Sequence, residues 1–219
     1  GHNYVQELLD YKKENGNYGP YASSIWSLYA LDAAGVYDED LVRTVARQAD
    51  SKTFDLDMKS WALAAIQNHL KDQLDGVNME AVSAIATEYM KGRQDGSGPV
   101  EGTFEHLSYK NSNLYTHACV IMGLTAAGID LEDEEWKINE TLPLDVFEQR
   151  LMPDGMLDDP RYGKSYNHQP MIALGSVINR KNVWIDQALT VGKIKVLLEA
   201  AETCKNNPAY GKKIQEQDS

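Results

Sequence analysis

Apolar residues recur along this chain in two alternating kinds of segment. In the first they crowd most sides of a helical period: PYASSIWSLYALDAA (20–34), the stretch around WALAAI (about 57–70), the stretch ending in VIMGLTAA (112–127) and the stretch around PMIALGSVI (166–179). Helices with so little polar surface belong inside a fold. In the second kind, 2–14, 38–49, 76–93, 133–151 and 183–204, only one face is apolar. Val42, Val45 and Ala46 show this, as do Val82, Ile85, Ala86, Tyr89 and Met90. Such segments predict an outer layer of helices with one face turned inward. No segment alternates with the two-residue period of a strand.

One phrase occurs twice. When the chain is shifted by 93 positions, ALDAAGVYDEDLVR (30–43) falls on GLTAAGIDLEDEEW (123–136), and Leu31, Ala33, Ala34, Gly35, Glu39 and Asp40 meet Leu124, Ala126, Ala127, Gly128, Glu132 and Asp133. Each copy reads as a helix end, a glycine free to take the left-handed conformation that stops a helix, and an apolar residue that packs back after it. Asp38 or Asp40 then caps the next helix, and acidic residues suit its first turn. Aligning Leu31, Ile66, Leu124 and Leu174 extends the pattern to four inner helices, spaced by 35, 58 and 50 residues. Three outer segments end in a glycine turn with an aromatic or Met nearby: NGNY (15–18), DGSG (95–98, with Phe104 downstream) and PDGM (153–156). The plan is outer helix, turn, inner helix, repeated. Stacked helical hairpins of this kind make an open solenoid or a closed ring, and repetition alone does not separate the two.

Composition narrows the partners more than the fold. The 219 residues suffice for one large domain and are marginal for two. The net charge of −12 disfavours nucleic acid and anionic membrane as main partners. No run of 18 apolar residues occurs to span a bilayer. Cys119 and Cys204 fall in different predicted helices without a CxxC spacing, so neither a disulfide framework nor a zinc finger is indicated, and both read as packed thiols. No signal-peptide pattern is present; the opening Gly1-His2 reads as a processed or expressed boundary, with which a removed leader is compatible. The polar stretch 206–219 reads as a tail or linker after a single domain of residues 1–205.

Taken together, QDG before an aromatic, D-x-D followed by WALAAI (55–66), and TAAGID (125–130) resemble the α/α toroid of terpenoid cyclases and protein prenyltransferases. The likeness is closest to the prenyltransferase-like domains of bacterial surface proteins, which are related to the helical domain of cobalamin-binding transport proteins. It runs from about residue 9 to 180. The resemblance implies an all-α ring of helical hairpins around a central cavity. A full ring of the family has six hairpins, and this chain supplies about four and a half. It also implies an extracellular or cell-surface location, no cofactor, and neighbouring domains of a larger surface protein.

The family's chemistry transfers poorly. Its class II cyclases protonate an alkene with the middle Asp of a D-x-D-D motif, which makes Asp57 the donor and Asp55 its helper here. The motif's last Asp is Met58, and helix capping is the plain alternative for Asp57. Its zinc-dependent members bind the metal through Asp, Cys and His. Here Leu114 and Thr116 occupy the first two positions, leaving only His168. His117 and Cys119, two residues apart on a helix, point in different directions. No thioester, nucleotide-loop or esterase motif is present.

What remains is the mixture of aromatic and polar residues at each inner-helix start: Tyr18, Tyr21 and Ser23; Phe54, Asp55 and Asp57; Tyr109, Asn111, Asn113, Tyr115 and His117; Tyr162, Tyr166, Asn167 and His168. A ring gathers these starts at one mouth, where apolar walls and a few placed polar groups suit a small ligand or a glycan. The expected ligand contacts are Tyr21, Asp55, Asp57, Tyr115, His117, Tyr166 and His168. Two other readings stay open: a cyclase-like enzyme using Asp57 as general acid, and a structural spacer.

Overall fold

The computed structural model describes residues 3–96, 101–105, 113–164 and 167–181. Among them stand eight α-helices: α1 (Tyr4–Asp10), α2 (Ser23–Ala33), α3 (Glu39–Asp50), α4 (Leu56–Ile66), α5 (Met79–Lys91), α6 (Leu114–Ala126), α7 (Asp145–Gln149) and α8 (His168–Asn179). No strand forms among the described residues, and paired backbone is confined to isolated bridges at turns. The four expected inner helices are α2, α4, α6 and α8. The segment 183–204 and the tail 206–219 lie outside the described residues.

The inner helices pack in chain order, α2 on α4, α4 on α6 and α6 on α8. A second layer forms where α3 lies against α2 and α4, and α5 against α3 and α4. The middle of the row is buried on nearly every side, as its all-round apolar sequence requires: nine of the eleven residues of α4 and eleven of the thirteen of α6. The row can be this tight because α6 carries Gly123 where it crosses α4. A Cβ there would stand 2.8 Å from the Ser60 carbonyl oxygen, so only glycine permits the approach. Among the described residues the inner helices at the two ends of the row have an inner-helix neighbour on one flank only. Trp26, expected inside with Leu31 and Trp61, is therefore exposed on α2, and Met171 and Ile178 are exposed on α8.

The duplicated phrase is a duplicated backbone motif. Val36 N–H donates to the Leu31 carbonyl at 2.9 Å and Gly35 N–H to Asp32 at 3.0 Å; Ile129 donates to Leu124 and Gly128 to Thr125, each at 3.0 Å. Both glycines have positive φ. This paired arrangement satisfies the last carbonyls of each helix. The end of α8 makes the same two bonds, Lys181 to Ser176 and Arg180 to Val177, with Arg180 itself left-handed. Starts are served by Asx side chains: Asn3 accepts from Gln6 N–H, Asp38 from Leu41, Asn78 from Ala81 and Asn113 from Thr116.

One expectation fails for a local reason. The outer helix expected over 133–151 is a 3₁₀ turn at Glu134–Trp136, a tight turn bridging Ile138 and Thr141, and the short α7. In the first copy of the phrase Asp38 caps the helix that follows, but the matching position is Leu131, and Pro143 interrupts the backbone donors further on. In the PDGM turn Met156 is exposed. Leu157, one residue later, is buried, as Tyr18 and Phe104 are after the other two turns.

A buried charge ties the layers. Lys59 on α4 is fully buried, donates to the Ala49 carbonyl in the last turn of α3, and lies 4.6 Å over the Tyr89 ring of α5. Burial pulls its ammonium down to about 8, opposed by the charge of Asp50. A cation at a helix C-terminus is well placed against the helix dipole.

Candidate functional site at the inner-helix starts

The start of α4 is built around two carboxylates. Asp55 occupies the N-cap position, yet its side chain does not cap; it accepts the hydroxyl of Tyr21 from the loop before α2. Asp57 stands in the first turn, where the helix dipole favours an acid. The expected capping role for Asp57 is thus corrected, since Asp55 holds that position. Tyr21 has φ 50°, a left-handed conformation that a tyrosine adopts only when its surroundings hold it. The hold comes from Gln48, which donates to the Tyr21 carbonyl at 3.0 Å, from Asp55, and from the Phe54 ring at 5.2 Å. Burial first, then the hydrogen bond to Asp55 and the charges of Asp55 and Asp57, push the Tyr21 phenol far above its ordinary range. Its hydroxyl therefore stays a donor at neutral pH.

One turn along α4 from Asp57 is Trp61, on the same face. Nearby stands the buried Cys119 thiol of α6, on which the charge of Asp57 acts. Burial above all holds that thiol protonated. Tyr29 of α2 completes the group by donating to the Trp61 carbonyl at 2.5 Å. On the other side of the row Gln169 of α8 donates to the Met122 sulfur of α6 at 3.2 Å.

The outer edge of this group is aromatic. Trp26, Tyr29 and Trp61 form a triangle with centroids 5.9, 5.0 and 6.0 Å apart for Trp26–Tyr29, Trp26–Trp61 and Tyr29–Trp61. Trp26 alone of the three is open to solvent, at 41% exposure against 7% and 5% for the other two.

The structure separates the expected ligand contacts. Tyr21 and Asp55 are brought together by their hydrogen bond at the start of α4, Asp57 stands in the next turn, and Tyr115 is half-buried in the first turn of α6. His168 opens α8 and is exposed, next to Gln169, which the sequence reading overlooked. Tyr166 lies outside the described residues, as do Tyr109 and Asn111. His117 is corrected: it is fully buried with both ring nitrogens engaged. Phe104 N–H donates to Nδ1 at 3.3 Å, which leaves the hydrogen on Nε2 to be donated to the Pro143 carbonyl at 2.7 Å. His117 latches two loops onto α6 and has no edge left for a ligand.

Trp61 and Cys119 were within reach of the sequence, each standing four residues after an expected contact, Asp57 and Tyr115. Asp159 was not. This buried carboxylate accepts from Leu114 N–H at the start of α6 at 2.5 Å, and from Arg161 and Tyr162 at 2.7 and 2.8 Å. No local spacing announces a cap 45 residues away.

Among the described residues no three His, Cys, Asp or Glu side chains gather as a metal site, and no helix is long and apolar enough to cross a membrane. A cleft of about 440 Å³ lies at the other end of the row, between the C-terminal ends of α6 and α8, lined by Thr125, Ile129, Leu131, Leu144, Val177 and Arg180. Its described walls hold no aromatic ring, so it lacks the chemistry found at the helix starts. No protein-family model matches the chain, and no curated protein or solved structure matches it either.

Proposed function

We propose that this chain is a non-catalytic ligand-binding or adhesion module of a secreted bacterial surface protein. The row of inner helices is an arc of an α/α toroid, and its helix starts form the mouth that contacts a small molecule or a glycan. The observation that carries this reading is the grouping of Trp26, Tyr29 and Trp61 between α2 and α4, with Trp26 open to solvent, on the two helices whose starts are joined by the Tyr21–Asp55 hydrogen bond. Helix capping does not call for such a grouping, whereas a binding site does. Catalysis is set aside because Met58 replaces the third carboxyl that a proton-donating Asp57 needs for its chemistry, and Leu114 and Thr116 stand where zinc ligands belong. Neighbouring domains of a larger surface protein are its natural covalent partners.

The test is a thermal-shift screen against glycans, corrinoids and isoprenyl diphosphates. A ligand at about 100 times its dissociation constant adds roughly 2.7 kcal/mol of stability. Tyr115→Ala is expected to weaken binding by on the order of 1–3 kcal/mol, since a half-buried tyrosine gives a ligand both a ring face and a hydroxyl. Silence across all three classes favours a structural spacer. Turnover of an isoprenyl diphosphate that disappears in Asp57→Asn establishes the cyclase reading instead.

A further inference from the structure

We infer that residues 183–204 fold back as a helix on the open face of α8, with Trp184, Ala188 and Val191 laid over Ile178, Leu174 and Met171. The partner of that face is this chain's own next segment.

The surface of α8 is divided in two. Gln169, Pro170, Ala173 and Ser176 are buried, and the helix packs on α6. Met171, Leu174 and Ile178 share a different face at i, i+3 and i+7. Met171 is 66% exposed and Ile178 81%, with Leu174 half-buried between them. One exposed apolar side chain is ordinary, whereas a stripe of three along one helix marks a contact face.

Connectivity points to what covers it. The two-bond stop that ends α8 also ends α2, and there the chain turns back into α3, which packs on α2. After α4 the chain returns as α5, which packs on α4. In the first two hairpins the inner helix is thus covered by the segment that follows it, and 183–204 is the segment that follows α8. A link this short holds that segment at an effective concentration on the order of millimolar, ahead of any partner that arrives by diffusion.

Spacing gives the register. Counted outward from the turn, α8 presents Ile178, Leu174 and Met171, at intervals of 4 and then 3 residues. The following segment presents Trp184, Ala188 and Val191 at the same intervals of 4 and then 3. Such mirrored stripes are what two antiparallel helices joined by a tight turn need in order to face each other. Ile178 and Val177 also wall the cleft of about 440 Å³ together with Ile129, Leu131 and Leu144. Trp184 is the first aromatic residue after Lys181, and its indole brings a large apolar surface to that cleft beside Ile178.

The experiment is hydrogen exchange on the full chain, read by mass spectrometry, with light scattering at each protein concentration. Amides of 183–204 are expected to exchange at least about tenfold more slowly than in a synthetic peptide of the same sequence. Ile178→Asp should remove that protection and leave α4 and α6 protected, because it puts a charge into an apolar contact. On a free surface the same substitution would change nothing. Ile85→Asp, at an exposed apolar position on α5, is the control and should leave 183–204 protected. Trp184→Ser should open the segment from its own side and add little to Ile178→Asp. Effects that simply add would put the two residues in separate contacts and overturn the pairing. If Ile178→Asp does not fold, Met171→Ser and Trp184→Ser carry the test. Trp184 emission, taken by difference from Trp184→Phe, should lie to the blue of indole in water. Exchange at the peptide rate throughout 183–204 overturns the proposal, as does protection that Ile178→Asp, Met171→Ser and Trp184→Ser all leave intact. Protection that grows with protein concentration, alongside a dimer in light scattering, assigns the face to a second copy and overturns it too.

Discussion

Two histidines set the acid and alkaline limits of this fold, and they act with opposite sign. Burial pulls His117 down to about 4, against the opposing hydrogen bond to Pro143, because a second ring hydrogen would point at the Phe104 N–H. The unfolded chain takes up that proton near the ordinary histidine value of about 6.5. Stability is therefore lost as pH falls from about 6.5 toward 4, by on the order of 3 kcal/mol in total. His69 sits between Asp32, 3.0 Å from Nε2, and Asp72, 2.8 Å from Nδ1. Burial opposes its charge, but hydrogen bonds and attraction to the two aspartates outweigh burial and raise its pKa. Its contribution is complete below about 6.5 and fades as pH rises through the raised value. Chemical denaturation at pH 5, 6.5 and 8 should show greatest stability near the middle value. His117→Gln should shrink the acid limb and His69→Gln the alkaline one; a curve flat from pH 5 to 8 would contradict both assignments. Neither role was legible in the sequence. The spacing that put His117 at an inner-helix start was correct, but the partners that bury it, Phe104 and Pro143, lie 13 and 26 residues away.

At the scale of elements, the paired phrase was the most informative stretch of the chain, because a helix stop is a local motif made by neighbouring residues. Gly35 and Gly128 have φ +69° and +76°, and nothing lies within 4 Å of a Cβ placed on either. Replacing either by Ala therefore meets no clash and bears only the backbone penalty of the left-handed conformation. Gly35→Ala and Gly128→Ala should each lower stability by about 1–2 kcal/mol, and the double variant by the sum, since the two share no partner. Arg180→Gly should move stability the other way by a smaller amount, as Arg180 holds the same conformation with a side chain. Urea titrations decide this; a cost at Gly35 without one at Gly128 would mean that the motifs are not equivalent. The same local logic shows why 133–151 was misread. Its apolar spacing is helical, but spacing does not report a missing cap at Leu131 or the break at Pro143.

Across the whole molecule, the order of the row was readable and its depth was not. Four apolar segments gave four inner helices, while the distinction between the enclosed α4 and α6 and the half-open α2 and α8 arises from having neighbours on two flanks or one. Trp26 shows the consequence: its sequence context matches a core tryptophan, and its place at the end of the row leaves it in solvent. The hierarchy should appear in hydrogen exchange. Amides of α4 and α6 should be the slowest, and those of α1, which buries no residue, the fastest. Protection of α1 equal to that of α6 would refute it. The bond from Leu114 to Asp159 bears on a different matter, the order in which the chain is made. The start of the third inner helix depends on a carboxylate synthesised 45 residues later. At a ribosomal pace of about 5–20 residues per second, that is a wait of roughly 2–9 s. For that interval the nascent third hairpin has a buried donor without its acceptor, so the fourth hairpin completes the third as it arrives, and the second half of the domain matures as one unit.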